Sequence, residues 1–322
     1  MLVVVALGGN ALLRRGAPMT VASQRAAIAA ASEPLARLAI GHELVVSHGN
    51  GPQVGLLALQ AASYDHVSEY PFDVLDAQTG GMIGYLLESE LSNHLGDRKP
   101  VAVLITRTLV DAQDPAFANP TKFVGPTYSR EEADRVALER GWDLKSDGEV
   151  FRRVVPSPAP QRIIEIAPVR WILGHGGVVV CAGGGGVPTA RDSNGTYTGV
   201  EAVVDKDLAS AVLARDLHAD TLIMATDVDG VYLDWGTPES RRVRHARPDD
   251  LEPRDFAAGS MGPKVAAAVQ FAQETGGRAV IGSLDDLDGL LSGTSGTTVS
   301  TSQSGLQVDE PSTVSTGSGG PP

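Results

Sequence analysis

The chain has 322 residues, 42% hydrophobic and 20% charged, with a formal net charge of −13. That length allows one large α/β domain or two lobes, and the acidic balance excludes a broad basic footprint for nucleic acid. No apolar run reaches the roughly 18 residues of a membrane span. A single cysteine, Cys181, excludes an internal disulfide or a cysteine-built metal centre and suits a reducing cytoplasm.

The run Leu2–Leu7 is continuously apolar and has no basic leader, so it reads as a buried parallel strand and not as a signal peptide. It ends in the glycine turn Gly8-Gly9-Asn10. Thr20 caps an alanine-rich helix to about residue 40, with a kink expected at Pro34. A second strand near 43–47 breaks at His48-Gly49-Asn50-Gly51, and Pro52 restarts the chain as a helix to about residue 63. Strand, glycine turn and helix N-terminus together offer N–H groups and the positive end of a dipole to an anion. Residues 45–55 therefore read either as an anion cradle or as a plain strand-to-helix turn. His48 is either a turn-former or a ligand contact. Tyr70-Pro71 connects to a helix over 73–94, where Gly80-Gly81 imply close packing or a break. A third strand is expected over 101–106.

Residues 111–160 interrupt the strand–helix alternation. The prolines of Asn119-Pro120-Thr121-Lys122-Phe123-Val124-Gly125-Pro126 exclude regular helix. Ser129 with Glu132 forms a capping box for a short helix to about residue 140. Residues 142–145 and 150–155 form a hairpin about Ser146-Asp147-Gly148. This stretch reads as an inserted, protruding subdomain. A helix over 166–173 and a strand over 178–182 then lead to four glycines, 183–186. Asp205-Lys206-Asp207 opens a helix to about residue 217, and a strand over 221–225 runs into the loop Thr226-Asp227-Val228-Asp229-Gly230-Val231-Tyr232. Ser260-Met261-Gly262-Pro263-Lys264 opens a helix to about residue 275, and strands over 279–281 and 297–299 close the sheet. Residues 303–322 are rich in Ser, Gly, Pro and Thr and read as a disordered tail or an appended remnant.

Repeated apolar strands followed by helices imply a mostly parallel sheet covered on both faces. Ligands of such sheets collect outside the carboxyl ends of the strands. The glycine turns at 8–10, 49–51 and 183–186 all follow strands, so topology brings them to one edge. Lys122, Lys206 and Lys264 stand where the backbone is fixed, the last two at helix starts. A lysine there is electrostatically unfavourable without an anion. Phosphoryl transfer needs positioning and positive charge more than covalent help, and Asp207 can orient lysines. Each lysine taken alone reads more readily as a solvated surface residue. No Walker-type P-loop and no strand-linked dinucleotide fingerprint is present. The histidines lack metal-ligand spacing. Asp227 and Asp229 have no third carboxylate nearby, so their loop reads as the frame of a nucleotide base. Trp142, Trp171 and Trp235 share no spacing and read as packing residues.

Six ordered stretches resemble the carbamate kinase branch of the amino acid kinase superfamily. They are Leu7-Gly8-Gly9-Asn10-Ala11-Leu12, His48-Gly49-Asn50-Gly51-Pro52-Gln53-Val54-Gly55, Pro120-Thr121-Lys122, the glycines 183–186 with Val187-Pro188, residues 199–207, and Ser260-Met261-Gly262-Pro263-Lys264. The resemblance covers about residues 1–300. It implies a three-layer αβα sandwich with a mostly parallel sheet and a small protruding α+β subdomain at about 115–160. It also implies an acceptor lobe over 1–213 and a nucleotide lobe over 214–302. The implied activity is reversible transfer between ATP and carbamate, giving ADP and carbamoyl phosphate, in a homodimer. Mg²⁺ would be held mainly by the nucleotide phosphates, with no protein metal site. Arginine metabolism and ATP synthesis are the implied setting and direction, although the same residues serve both directions.

By the same resemblance, Lys206 and Lys264 bridge the moving phosphoryl group, Asp207 orients them, and Lys122 reaches the acceptor side. Gly8, Gly9, Asn10, Gly49, Asn50 and Gly51 line the acceptor. Gly184, Gly185, Thr226, Asp227, Val228, Tyr232, Met261 and Gly262 meet the nucleotide. Phe123 stands where the family pattern suggests proline, and the tail after Ser302 is extra. The three lysines and Asp207 argue against a silent nucleotide-binding module, and the Lys122 loop argues against a different acyl-phosphate acceptor.

Overall fold

The computed structural model describes residues 1–13, 16–63, 70–257 and 259–309. The chain starts with β1 (Leu2–Leu7), α1 (Gly9–Leu12), α2 (Val21–Gly41), β2 (Glu43–His48), α3 (Gly51–Ala62), α4 (Phe72–Leu95) and β3 (Val101–Val103). It continues through β4 (Arg107–Val110), β5 (Lys122–Tyr128), α5 (Arg130–Arg140), β6 (Leu144–Asp147), β7 (Val150–Val155) and β8 (Pro160–Ile163). Next come α6 (Ile166–Gly174), β9 (Val178–Val180), β10 (Val187–Arg191), β11 (Tyr197–Gly199), α7 (Lys206–Leu217) and β12 (Thr221–Thr226). The last elements are β13 (Val231–Leu233), β14 (Arg241–Ala246), α8 (Met261–Thr275), β15 (Arg278–Ser283), α9 (Leu287–Ser292), β16 (Thr297–Val299) and β17 (Gln307–Val308).

The main sheet runs β13-β14-β16-β15-β12-β1-β2-β9-β3, with β17 on β14. Its centre is parallel. Side chains alternate across a strand, and the core divides accordingly. Val4 and Ala6 pack with α6, α7 and α8 on one face. Val3, Val5 and Leu7 pack with α2, α4 and α9 on the other. This is the expected αβα sandwich. The sheet runs through both expected lobes, and α7 crosses the boundary expected at 213 as one helix.

The register sets the position of the site. Leu7 is partnered by His48 on one side and by Ala225 on the other. The turns at 8–10 and 49–51 and the loop from 226 therefore leave the sheet side by side. Val46 pairs with Val180, which brings the glycines at 183–186 to the same edge.

Several local expectations are corrected. α4 passes through Gly80-Gly81 without a break. Of the two readings open there, close packing is the one found: a Cβ on Gly183 would meet Gly80 Cα at 3.1 Å, and one turn on, a Cβ on Gly84 would meet Val103 Cγ1 at 2.6 Å. The third strand of the main sheet stops at Val103. Thr106 instead accepts the Ala182 N–H on its Oγ1 at 2.9 Å, and β4 joins a separate sheet, β11-β10-β4-β8. The protruding subdomain is the sheet β5-β7-β6 with α5. Its helix has the expected Ser129–Glu132 capping box. The tail expected from 303 is corrected for residues 303–309. β17 pairs antiparallel with β14, and Asp309 forms ion pairs with Arg242, at 2.8 Å, and with Arg244. Residues 310–322 lie outside the described residues.

Candidate active site

α7 carries the centre of the site. Its N-cap is Asp205, whose Oδ1 accepts the N–H groups of Asp207 at 2.9 Å and Leu208 at 3.2 Å. A carboxylate at the helix start offsets the cost of opening the helix with a lysine. Lys206 Nζ donates to Asp207 Oδ1 at 2.6 Å. Lys264 Nζ, from the first turn of α8, donates to the other oxygen, Oδ2, at 3.1 Å. The three side chains are nearly buried, at 12%, 11% and 7% exposure for Lys206, Lys264 and Asp207. Burial works against the charge on Asp207, but the two ammonium groups outweigh it and hold the carboxyl well below its usual range. Burial also lowers the Lys206 pKa, with Asp207 opposing the shift.

Lys122 opens β5 at the edge of the subdomain. Its Nζ donates to Asp205 Oδ2 at 2.5 Å. The loop before it is fixed by Lys145, which donates to Asn119 Oδ1 at 3.0 Å and to Pro120 O at 2.6 Å. Lys122, Lys206 and Lys264 thus face two carboxylates, leaving one net positive charge in an acidic chain. Such a cluster attracts an anion locally.

The glycine turns contribute unequally. Gly8 donates its N–H to Ala225 O at 3.0 Å, and Gly49 donates to Leu7 O at 3.2 Å. Both N–H groups are therefore taken up by the sheet. Gly9 and Asn10 open α1, and Gly51 opens α3. Asn50, the N-cap of α3, makes no side-chain cap bond. Its Nδ2 turns inward and donates to Asp76 and Thr79 on α4. Gly49 lies against the Lys206 stem, 4.0 Å from a built Cβ to Cε. His48 is buried and donates its Nδ1–H to Gly49 O at 2.9 Å. Burial lowers its pKa to about 4, so it is neutral at pH 7 and serves the turn.

A pocket of about 240 Å³ opens beside Lys264. It is lined by Thr226, Asp227, Val228, Gly230, Tyr232 and Trp235, with Ser260, Met261 and Lys264 across from them. Of the residues expected at a nucleotide, Thr226, Asp227, Val228, Tyr232 and Met261 are here. Gly184 and Gly185 are not. They are buried against Asn50 and Val204, where built Cβ atoms would come within 2.3 Å and 2.5 Å. Gly262 packs beneath the pocket against the carbonyls of Pro253, Phe256 and Ala257. Trp235, read from sequence as packing, is 69% exposed and meets Tyr232 edge-on at 5.0 Å. Tyr232 donates to Asp229 at 2.8 Å, Asp229 pairs with Arg242, and Arg242 pairs with Asp309. The C-terminal strand is thereby tied to the pocket wall. Among the described residues, no group of His, Cys, Asp or Glu is placed to hold a metal ion.

Comparison with known proteins places the same residues in context. A family model described as "Amino acid kinase family" matches residues 1–283. The chain is 52% identical over 306 residues to a carbamate kinase of Haemophilus influenzae, covering 95% of this chain and 99% of that one. It is also 52% identical to a carbamate kinase of Rhizobium meliloti, covering 95% of each chain. Among solved structures, carbamate kinase from Giardia lamblia bound to AMP-PNP superposes with a TM-score of 0.83 at 38% identity, covering 92% of this chain and 98% of that one.

Proposed function

Because the chain belongs to the carbamate kinase branch of the amino acid kinase family, and so is a phosphotransferase, we propose that it transfers a phosphoryl group reversibly between ATP and carbamate, forming ADP and carbamoyl phosphate. One observation carries the reading. A single carboxylate, Asp207, ties together Lys264, which lines the 240 Å³ pocket, and Lys206, which lies against Gly49. The two ammonium groups therefore span the gap between a nucleotide pocket and the glycine turns. They neutralise charge on the equatorial oxygens of the moving group. The attacking oxygen of carbamate is already anionic, so positioning suffices and no general base is required. Lys122 uses one of its three N–H donors on Asp205 and offers the others to the acceptor. Thr226 to Tyr232 and Trp235 frame the base, in keeping with the AMP-PNP bound by the Giardia lamblia relative.

All four oxygens of Asp205 and Asp207 accept hydrogen bonds within the chain. They do not form a free carboxylate pair for Mg²⁺, so the ion would arrive on the nucleotide phosphates. The side chains Val74, Met82 and Tyr85 on one face of α4, with Ile105 beside Gly81, are exposed apolar groups suited to a homodimer contact. A buried, unpaired Cys181 fits a cytoplasmic setting. No helix of the described residues is long and apolar enough to cross a membrane.

The test is ATP formation from ADP with carbamoyl phosphate, run beside acetyl phosphate. The expected result is turnover with carbamoyl phosphate and little with acetyl phosphate. No ATP from carbamoyl phosphate would remove the reading.

A further inference from the structure

We propose that Asp76, inside α4, is a positioning residue for the transfer, acting through Asn50 on two of the glycine turns. The inference rests on the reaction assigned above. Asp76 is 1% exposed and Asn50 is 3% exposed. Asn50 Nδ2 donates to Asp76 Oδ1 at 2.7 Å and to Thr79 Oγ1 at 2.9 Å. Thr79 in turn donates to Leu75 O at 2.9 Å. An amide nitrogen has two N–H donors, so both are used and the plane of the Asn50 amide is fixed.

That amide is where two turns meet. Asn50 belongs to the turn at 49–51, and Gly184 rests directly on its side chain. A built Cβ on Gly184 would lie 2.3 Å from Asn50 Nδ2 and 2.6 Å from its Cγ. Gly183 next to it packs on Gly80 of α4, with 3.1 Å from its built Cβ to Gly80 Cα. Helix α4, the Asn50 amide and the 183–186 turn therefore form one continuous stack. Rotating the amide would displace Gly184 and the backbone of 49–51 together. Gly49 faces the Lys206 stem, so the displacement reaches the transferring group.

The second oxygen of Asp76, Oδ2, is buried and has no hydrogen-bond partner within the chain. Asp76 also lines a cavity of about 10 Å³ with His48, Cys181 and Gly183, room for about one water. Burial pushes the Asp76 carboxyl up, the Asn50 hydrogen bond opposes this, and the negative charges of Asp73 and Glu201 add to it. Of the other titratable groups at the cavity, His48 is neutral at pH 7 and burial pushes the Cys181 thiol up to about 12, so it too is neutral. Asp76 acts here as a hydrogen-bond acceptor through Oδ1, and an isosteric asparagine keeps that acceptor oxygen.

The experiment compares Asp76→Ala, Asp76→Asn and Thr79→Val in the full chain. It measures ATP formation at saturating ADP, ADP binding by calorimetry, and hydrogen–deuterium exchange at 49–51 and 183–186. Asp76→Ala is expected to lower kcat by about 10²-fold, the effect of a misplacement of about 1 Å, with ADP affinity unchanged and exchange faster in both turns. Asp76→Asn is expected to restore most of the loss, and Thr79→Val to lower kcat more mildly. Wild-type kcat in Asp76→Ala, or an Asn variant no better than the Ala variant, overturns the proposal. Should Asp76→Ala fail to fold, an unchanged kcat and exchange pattern in Thr79→Val overturns it instead. Should the wild type form no ATP from carbamoyl phosphate, the reaction assignment fails, while the exchange data still decide whether Asp76 positions the two turns.

Discussion

Gly55, the last glycine of the turn-and-helix stretch at 45–55, couples the protruding subdomain to the site. A Cβ at this position would lie 2.2 Å from Gly125 Cα and 2.3 Å from Gly125 N. Ordinary contact starts at 3.4 Å, so Gly55→Ala is short by about 1.2 Å. Both obstructing atoms are backbone, so no rotamer change relieves the overlap. Alanine favours the helix over glycine by roughly 1 kcal/mol, whereas overpacking costs roughly 1–3 kcal/mol. The clash is the larger effect, and α3 and β5 must separate by about an ångström. β5 begins at Lys122, which sits 2.5 Å from Asp205, so the shift pulls Lys122 out of place. A displacement of that size lowers kcat with carbamoyl phosphate by about 10²-fold. The KM for ADP should stay near wild type, because the pocket proposed for the nucleotide is built from residues between Thr226 and Lys264. A coupled ATP-formation assay with both substrates varied separates the two effects. Wild-type kcat in Gly55→Ala would refute the coupling of subdomain to site.

Two further perturbations follow from burial and pairing. His48 has its pKa lowered from 6.5 to about 4 by burial, so the unfolded chain binds a proton that the folded chain refuses. The stability due to neutral His48 is present above pH 6.5 and lost as pH falls toward 4, on the order of 3 kcal/mol in all. His48→Gln should flatten that acid limb of the melting curve, and an unchanged limb would contradict the assignment. Removing residues 303–322 takes away β17 and the Asp309 pairs with Arg242 and Arg244. It should cost about 1–2 kcal/mol more than removing 310–322 alone, read as a difference in Tm. Equal Tm values would mean the strand contributes nothing.

The fold was largely legible because its signals are local. Unbroken apolar runs marked the buried strands, and glycine turns after them marked the edge where Leu7, His48 and Ala225 align. Lysines at helix starts pointed to Lys206 and Lys264. What stayed hidden depends on pairing at long range. Lys122 and Asp205 are 83 residues apart, and nothing local couples them. In the sheet β11-β10-β4-β8, β4 pairs with β10, where Arg107 is partnered by Val187, 80 residues on. The packing of Gly184 on Asn50 and of Gly185 on Val204 was hidden because a glycine needed for packing reads the same as one that admits a ligand. Trp235 was missed because one aromatic in a polar loop has no periodicity. Residues 303–309 were misjudged because composition is blind to a two-residue strand held by ion pairs.

The bridge formed by Asp207 between Lys206 and Lys264 is tested most directly by turnover of Lys206→Ala and Lys264→Ala. Each variant should lower kcat for ATP formation from ADP and carbamoyl phosphate by at least about 10²-fold, the usual loss for one preorganised charge-stabilising donor. Both should remain folded by circular dichroism. Near-normal kcat in either variant would contradict the account.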